Sequence, residues 1–236
     1  MKFKARYKSC LWSKTDIWGG LLKRRNSFLR VKWDRIIGTL ISKKRRRHQR
    51  LCKDYRLVKP SSRPNQPYKF PRWAFRNSLS NRLCLRRFYG DLSSKTVQRL
   101  CRIKKNKKFI RSLESRLDIN LYRLGFLGSV YESKQAILHG KVLVNGRKIT
   151  FDQFLLQSGD IVEFSSNFRS SIRSGILSRR CGINYVDRLR VHPTPDWLHT
   201  DYCSLSFIFV GDITFSMFYP FRVEFDEIRC SSRYKY

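Results

Sequence analysis

Carboxylates are scarce in this chain. Its 236 residues hold 17 Asp and Glu against 51 Lys and Arg, a formal net charge of +34. Such an imbalance repels itself in any compact fold unless a polyanion neutralises it, and no ordinary soluble enzyme needs it. Histidine is also rare: His48, His139, His192 and His199 are the whole set, with no metal-ligand spacing among them. No glycine-rich loop of the phosphate-cradling type is present. The seven cysteines include no C-x-x-C pair, since the closest two, Cys84 and Cys101, are 17 residues apart. That spacing disfavours a zinc finger, and the odd, scattered count disfavours a disulfide framework. The cysteines read as reduced, mostly buried thiols of an intracellular compartment. Long apolar runs are missing too. The most apolar stretch, residues 204–221, is interrupted by Gly211, Asp212 and Pro220, short of the ~18–20 uninterrupted apolar residues a spanning helix needs. These absences leave no basis for a catalytic residue, a metal, a cofactor, a small-molecule substrate or a membrane-spanning segment.

What is present is cationic and unevenly placed. Residues 1–110 carry 34 Lys and Arg against 4 Asp and Glu, residues 111–170 carry 8 against 6, and residues 171–236 carry 9 against 7. Composition alone leaves nucleic acid and an anionic membrane surface both open; the asymmetry favours nucleic acid. Trp12, Trp18, Trp33 and Trp73 in the basic half argue against a purely disordered tail. The densest run, residues 42–53, includes Arg45, Arg46 and Arg47 and reads as an RNA contact, with a nuclear localisation signal or a solvated face as the alternative. Pro60, Pro64, Pro67 and Pro71 then mark an extended linker. A basic helix is expected over residues 76–89, with Arg86 and Arg87 near its end and Gly90 as its left-handed stop. Ser93 or Ser94 caps the next helix, which places Val97, Leu100 and Cys101 on one side and Lys95, Arg99 and Arg102 on the other. Lys104, Lys105, Lys107 and Lys108 close the basic half.

Residues 111–164 show the clearest periodicity. Leu113, Leu117, Leu121 and Leu124 recur at helical spacing, followed by Gly125. A second helix is expected from about Ser129 to His139, ended by Gly140. Lys141–Val144, the pair Asn145-Gly146 and Arg147–Ile149 predict a hairpin, because both central residues of its turn need positive φ. Gly159-Asp160 offers another turn before Ile161–Phe164. Alternation at Leu205, Phe207 and Phe209 suits a strand.

At these residues the chain resembles a known module. Arg116-Leu117-Asp118, Tyr122–Phe126, His139–Gly146 and Ser158–Val162 stand in the order of an S4 RNA-binding domain. The flanks resemble the small-subunit ribosomal protein S4 family. Leu85–Leu92 is similar to its lead-in, Lys4–Tyr7 to its basic N-terminus, Pro195–Leu198 to its Pro-x-Trp-Leu segment, and Arg222–Phe225 to its closing strand. The similarity at Lys4–Tyr7 favours an N-terminus retained in the mature protein over a removed Arg-rich presequence. The Pro-rich insertion and the aromatic tract near residues 204–221 look like an organellar version, most like the plant mitochondrial form. Cys10 stands alone where many bacterial members carry a zinc-binding cysteine cluster. Val130 and Lys134 stand where the family places arginine, so Lys134 keeps the charge but not the planar fork.

The resemblance implies an α+β chain. Residues 1–41 would form a basic N-terminal region, 42–75 a basic Pro-rich linker, and 76–110 a basic helical region. Residues 111–170 would form the S4 domain, two helices and a small antiparallel sheet. Residues 171–236 would form a mostly β segment packing on the N-terminal half. It further implies no enzymatic activity and a place in the small ribosomal subunit of the mitochondrial matrix, with small-subunit ribosomal RNA and neighbouring subunit proteins as partners. Arg116 and Arg123, seven residues apart and near one helical face, would meet RNA with Lys134, Gln135, His139, Lys141, Asn145, Arg147 and Lys148. Against this, Arg116 can pair locally with Asp118, Asn145 serves turn geometry, and His139 serves as a helix end. A free S4-domain regulator or assembly factor is the alternative.

Overall fold

A computed structural model describes residues 10, 16–18, 31, 33–39, 56–58, 72–103, 106–181, 195–211, 217–219 and 221. The chain divides into two compact units, one holding residues 108–214 and the other residues 6–107 and 215–236.

The described elements of the second unit begin with strand β1 (Arg56–Val58) and helix α1 (Arg72–Phe88). Helix α1 starts immediately after Pro71 and ends where Gly90 and Asp91 take φ of 74° and 62°. Helix α2 (Ser94–Ile103) is capped by the Ser93 hydroxyl, which accepts from Thr96 N–H at 3.0 Å. Strand β7 (Met217–Tyr219) pairs antiparallel with β1, Leu57 opposite Phe218. Phe88 is the hub of an aromatic cluster, with Tyr89, Tyr219 and Phe221 edge-on at centroid distances of 5.2–5.8 Å. The Tyr89 and Tyr219 hydroxyls share a buried 2.6 Å hydrogen bond, which satisfies the only polar atoms of two otherwise apolar side chains.

In the first unit the leucine period from 113 to 124 does not make one helix. It splits into α3 (Asn106–Glu114) and α4 (Leu117–Arg123). The break has a cause. Arg116 is extended (φ −73°, ψ 136°) and bridges Leu155. Leu156 N–H donates to Ser115 C=O at 2.8 Å, and Leu117 N–H donates to Phe154 C=O at 2.9 Å. A distant loop thus supplies partners that a continuous helix would have supplied internally.

Helix α5 (Val130–Leu138) opens on Ser129, whose hydroxyl accepts from Glu132 N–H while the Glu132 carboxylate accepts from Gly128 N–H. This is a capping-box arrangement reaching one residue further back. It closes with Lys141 N–H bonded to Ala136 C=O and Gly140 N–H to Ile137 C=O, with Gly140 at φ 62°. That paired closure requires a left-handed residue, which glycine adopts without strain.

The sheet has order β3-β2-β4-β6-β5 and every neighbouring pair is antiparallel. Its strands are β2 (Val142–Val144), β3 (Arg147–Lys148), β4 (Ile161–Phe164), β5 (Leu198–Asp201) and β6 (Ser206–Phe209). Strands β5 and β6 lie beyond residue 170, so the sheet is completed by chain expected to belong to a separate C-terminal segment. Alternation aims Val142, Val144, Val162, Phe164, Phe207 and Phe209 inward. Phe126, from the turn after α4, lies 5.3 Å from Phe164 and 6.2 Å from Phe207 between ring centroids. Helix α6 (Ser166–Cys181) was not legible in the sequence: its Ser-rich, Gly175-containing stretch has weak intrinsic helix preference. Among the described residues no helix is long and apolar enough to cross a membrane.

Candidate nucleic-acid interface

The two arginines of the first helix that the resemblance assigns to RNA, Arg116 and Arg123, are both buried. Arg116 precedes α4, is 4% exposed, and donates through Nε and Nη2 to the Asp118 carboxylate at 3.1 and 2.6 Å. Arg123 is also buried and makes the same two-pronged contact with the fully buried Glu114. Burial pushes the Asp118 carboxyl above its ordinary range, and the Arg116 guanidinium opposes that shift. Between the pairs, Asn120 Nδ2 donates to the carbonyls of Glu114 and Arg116, both at 2.9 Å. Trp197 Nε1 reaches Asn120 Oδ1 at 3.4 Å. This network secures the α3–α4 break. Arg116 thus makes the local pair with Asp118 that the sequence offered beside RNA contact, and Arg123, expected to meet RNA, is enclosed by protein with a bidentate carboxylate partner.

The remaining candidates of this unit lie around the C-terminal end of α5 and the hairpin. Lys134 is partly buried and its Nζ lies 3.6 Å from Asp152 Oδ2. Gln135 is half-buried on the next position of α5, and its carbonyl accepts from His139 N–H, the exposed C-cap. Lys141 is exposed, and its ammonium sits 4.5 Å from the Phe168 ring centroid, where the ring face attracts a cation. Arg147 and Lys148 are exposed on β3, held there by pairing with Val144 and Leu143.

Asn145 and Gly146 occupy the turn at φ 51° and 77°, the mirror-image turn the sequence predicted. Asn145 has a further structural task. Its Oδ1 accepts from Ile161 N–H and its Nδ2 donates to Asp160, both at 2.9 Å. The side chain thus ties the hairpin to the start of β4.

In the other unit, Arg87 is exposed and paired with Asp91 at 2.5 Å. Arg86 donates from Nε to Leu92 C=O at 2.6 Å. Partial burial and the charges of Arg82 and Arg87 lower the Arg86 guanidinium's pKa, a crowding of like charge that an anion would relieve. Lys107 lies in α3, and Lys108 is exposed on the same helix. Arg45, Arg46, Arg47, Lys104 and Lys105 lie outside the described residues. Sequence reasoning left Lys95, Arg99 and Arg111 out of the site, although all three are exposed; the amphipathic period of α2 was the available signal for the first two. Among the described residues no group of three or more His, Cys, Asp or Glu could hold a metal ion.

Comparison with known proteins agrees with this geometry. Residues 115–162 match the S4 domain, from the α3–α4 break through α5, the hairpin and into β4. The chain is 32% identical over 130 residues to small ribosomal subunit protein uS4 of Kosmotoga olearia, covering 52% of this chain and 58% of that protein. It is 26% identical over 187 residues to small ribosomal subunit protein uS4m of Reclinomonas americana, covering 74% and 71%. Against uS4m of Marchantia polymorpha it is 28% identical over 146 residues, covering 59% and 69%. The chain thus spans less than two thirds of the Kosmotoga protein and somewhat more of the two uS4m proteins. The chain therefore carries an S4 domain and is similar, over about half to three quarters of its length, to small ribosomal subunit proteins uS4 and uS4m.

Proposed function

We propose that this protein is a structural constituent of the mitochondrial small ribosomal subunit, where it binds small-subunit ribosomal RNA and nucleates its assembly. The observation that carries the proposal is the division of labour within the S4 domain. Arg116 and Arg123 brace the frame through buried carboxylates, while Lys141, Arg147 and Lys148 project from it. A-form RNA hides its base edges in a deep, narrow groove, so proteins meet it through backbone, shape and 2′-hydroxyl contacts. Cations fixed on a rigid hairpin suit that task, and the basic half of the chain adds a broad electrostatic footprint. The role is positional: neighbouring subunit proteins join the RNA fold so held, and no bond is made or broken. The uS4m relatives motivate the mitochondrial matrix as its location.

Sedimentation of a mitochondrial extract on a sucrose gradient, with quantitative mass spectrometry across fractions, tests the proposal. One copy per small subunit, retained through high-salt washing, is the expected result. Recovery in light fractions, or only with immature particles, would instead identify a free regulator or an assembly factor.

A further inference from the structure

Three large apolar side chains of the S4 unit stand in solvent close to the cationic end of α5: Phe151 is 60% exposed, Leu138 59% and Leu155 52%. Isolated exposed apolar residues are common on protein surfaces. These are brought together by specific contacts. A Cβ at Gly140 would lie 3.9 Å from Thr150 Cγ2, and Asp152 Oδ2 lies 3.6 Å from Lys134 Nζ. The two residues flanking Phe151 therefore rest on the last turns of α5, between which Leu138 is exposed. The loop is anchored on both sides. Ile149 N–H donates to Val142 C=O, Phe154 N–H closes a turn onto Phe151 C=O, and Phe154 C=O and Leu156 N–H bond across the α3–α4 break. An exposed aromatic ring thus belongs to a hydrogen-bonded loop whose residues on either side of it reach Gly140 and Lys134.

We propose that Phe151 is a stacking platform for an unpaired nucleobase, so that the S4 surface recognises a loop or bulge in addition to duplex backbone. The inference rests on the RNA-binding reading above. Phosphate contact needs only charge. A large planar apolar side chain held in water among cations gains nothing from a phosphate, but it offers a π-face to any base that leaves the helical stack. Asp152 does not oppose the approach of RNA, because Lys134 neutralises it. The alternative occupant, the apolar face of a neighbouring protein, is disfavoured by the exposed His139, Lys141 and Lys148 on the end of α5 and the hairpin that this loop follows, since charge is depleted at the centres of protein interfaces.

The test compares the full-length chain with F151A, F151L and F151Y. The probes are a small-subunit ribosomal RNA transcript containing internal loops and a fully paired RNA duplex. Affinity is measured across salt concentrations, with a thermal melt of each variant to establish folding. F151A should lower affinity for the looped transcript roughly ten-fold or more, without changing the dependence on salt, because stacking releases no counterions. F151Y should restore binding and F151L should not, and the duplex should register none of these changes. Unchanged binding by F151A, or full restoration by F151L, would overturn the platform while leaving RNA binding intact; the latter result would mark a general apolar contact to the RNA in place of stacking. Failure of the unaltered chain to bind either RNA would overturn both readings.

Discussion

Arginines in this protein divide by environment. Arg123 and Glu114 form a bidentate pair inside the S4 unit, so Arg123→Ala leaves a buried carboxylate without its cation. The expected loss is about 3–5 kcal/mol of stability, read as a lowered denaturation midpoint. Arg147 and Lys148 are exposed on β3, so replacing either with Ala should leave the melt unchanged. Each replacement should weaken RNA binding and reduce the steepness of the salt dependence by about one phosphate contact. A destabilised Arg147→Ala, or an Arg123→Ala that folds normally, would reverse the assignment. The thiols divide in the same way. Burial pushes Cys10 up to about 12, whereas Cys203 is exposed. A maleimide reagent at neutral pH should label Cys203 in the native protein and spare Cys10. A raised folded pKa means the native state holds the proton more tightly, so Cys10 favours folding below the unfolded thiol range. That contribution is lost as pH rises from about 9 toward about 12. An alkaline titration of stability should therefore fall across that window and flatten in Cys10→Ala.

At the scale of elements, the ends of helices and turns are specified by single residues. Removing the Ser129 hydroxyl should cost about 1 kcal/mol, because Glu132 N–H loses its acceptor at the start of α5. Gly211 is more restrictive. It takes φ 93°, and a Cβ there would lie 2.9 Å from Ser158 Cβ. Gly211→Ala combines backbone strain with a clash where the chain leaving β6 meets the Gly159 turn and Ser158 Oγ donates to Val210 C=O. A loss above about 1 kcal/mol is expected. Because Gly159 N–H also bonds to Phe209 C=O, faster amide exchange should spread into β4 and β6. An effect confined to residue 211 would show that the turn is not coupled to the sheet.

For the whole molecule the dominant fact is charge. With +34 to accommodate, the free chain carries self-repulsion that a bound polyanion relieves. Ribosomal RNA should raise the melting temperature at low salt, and that gain should shrink as salt rises, since affinity falls with counterion release. The two compact units divide the chain so that residues 215–236 group with residues 6–107 while residues 108–214 stand as the other unit. A chain ending at residue 170 would therefore lack β5 and β6 of the five-stranded sheet as well as β7 of the other unit, and differential scanning calorimetry should report both as destabilised.

Much of this was legible in the order of the residues, and the reason is local. Asn145-Gly146 demands positive φ, Gly140 and Gly90 demand left-handed stops, and Ser129 demands a cap; these requirements are met within a few residues of themselves. The S4 motif and the charge bias were read from the same one-dimensional information. What local information cannot carry is the partner of a distant group. The leucine period from 113 to 124 is helical throughout, yet the chain breaks at Arg116 because Phe154 and Leu156 supply backbone hydrogen bonds there. Arg123 reads as part of an RNA-facing surface, yet the buried Glu114 nine residues earlier claims it, whereas the Arg116–Asp118 pair was legible as a local alternative. The platform at Phe151 was equally hidden, since the exposure of one aromatic residue depends on which elements leave it uncovered. Sequence alone determined the charge bias, the S4 module and its turns, because charge and backbone preference are properties of residues. Tertiary structure decided which cations are enclosed in the frame and which stay exposed, because burial and pairing exist only once distant segments meet.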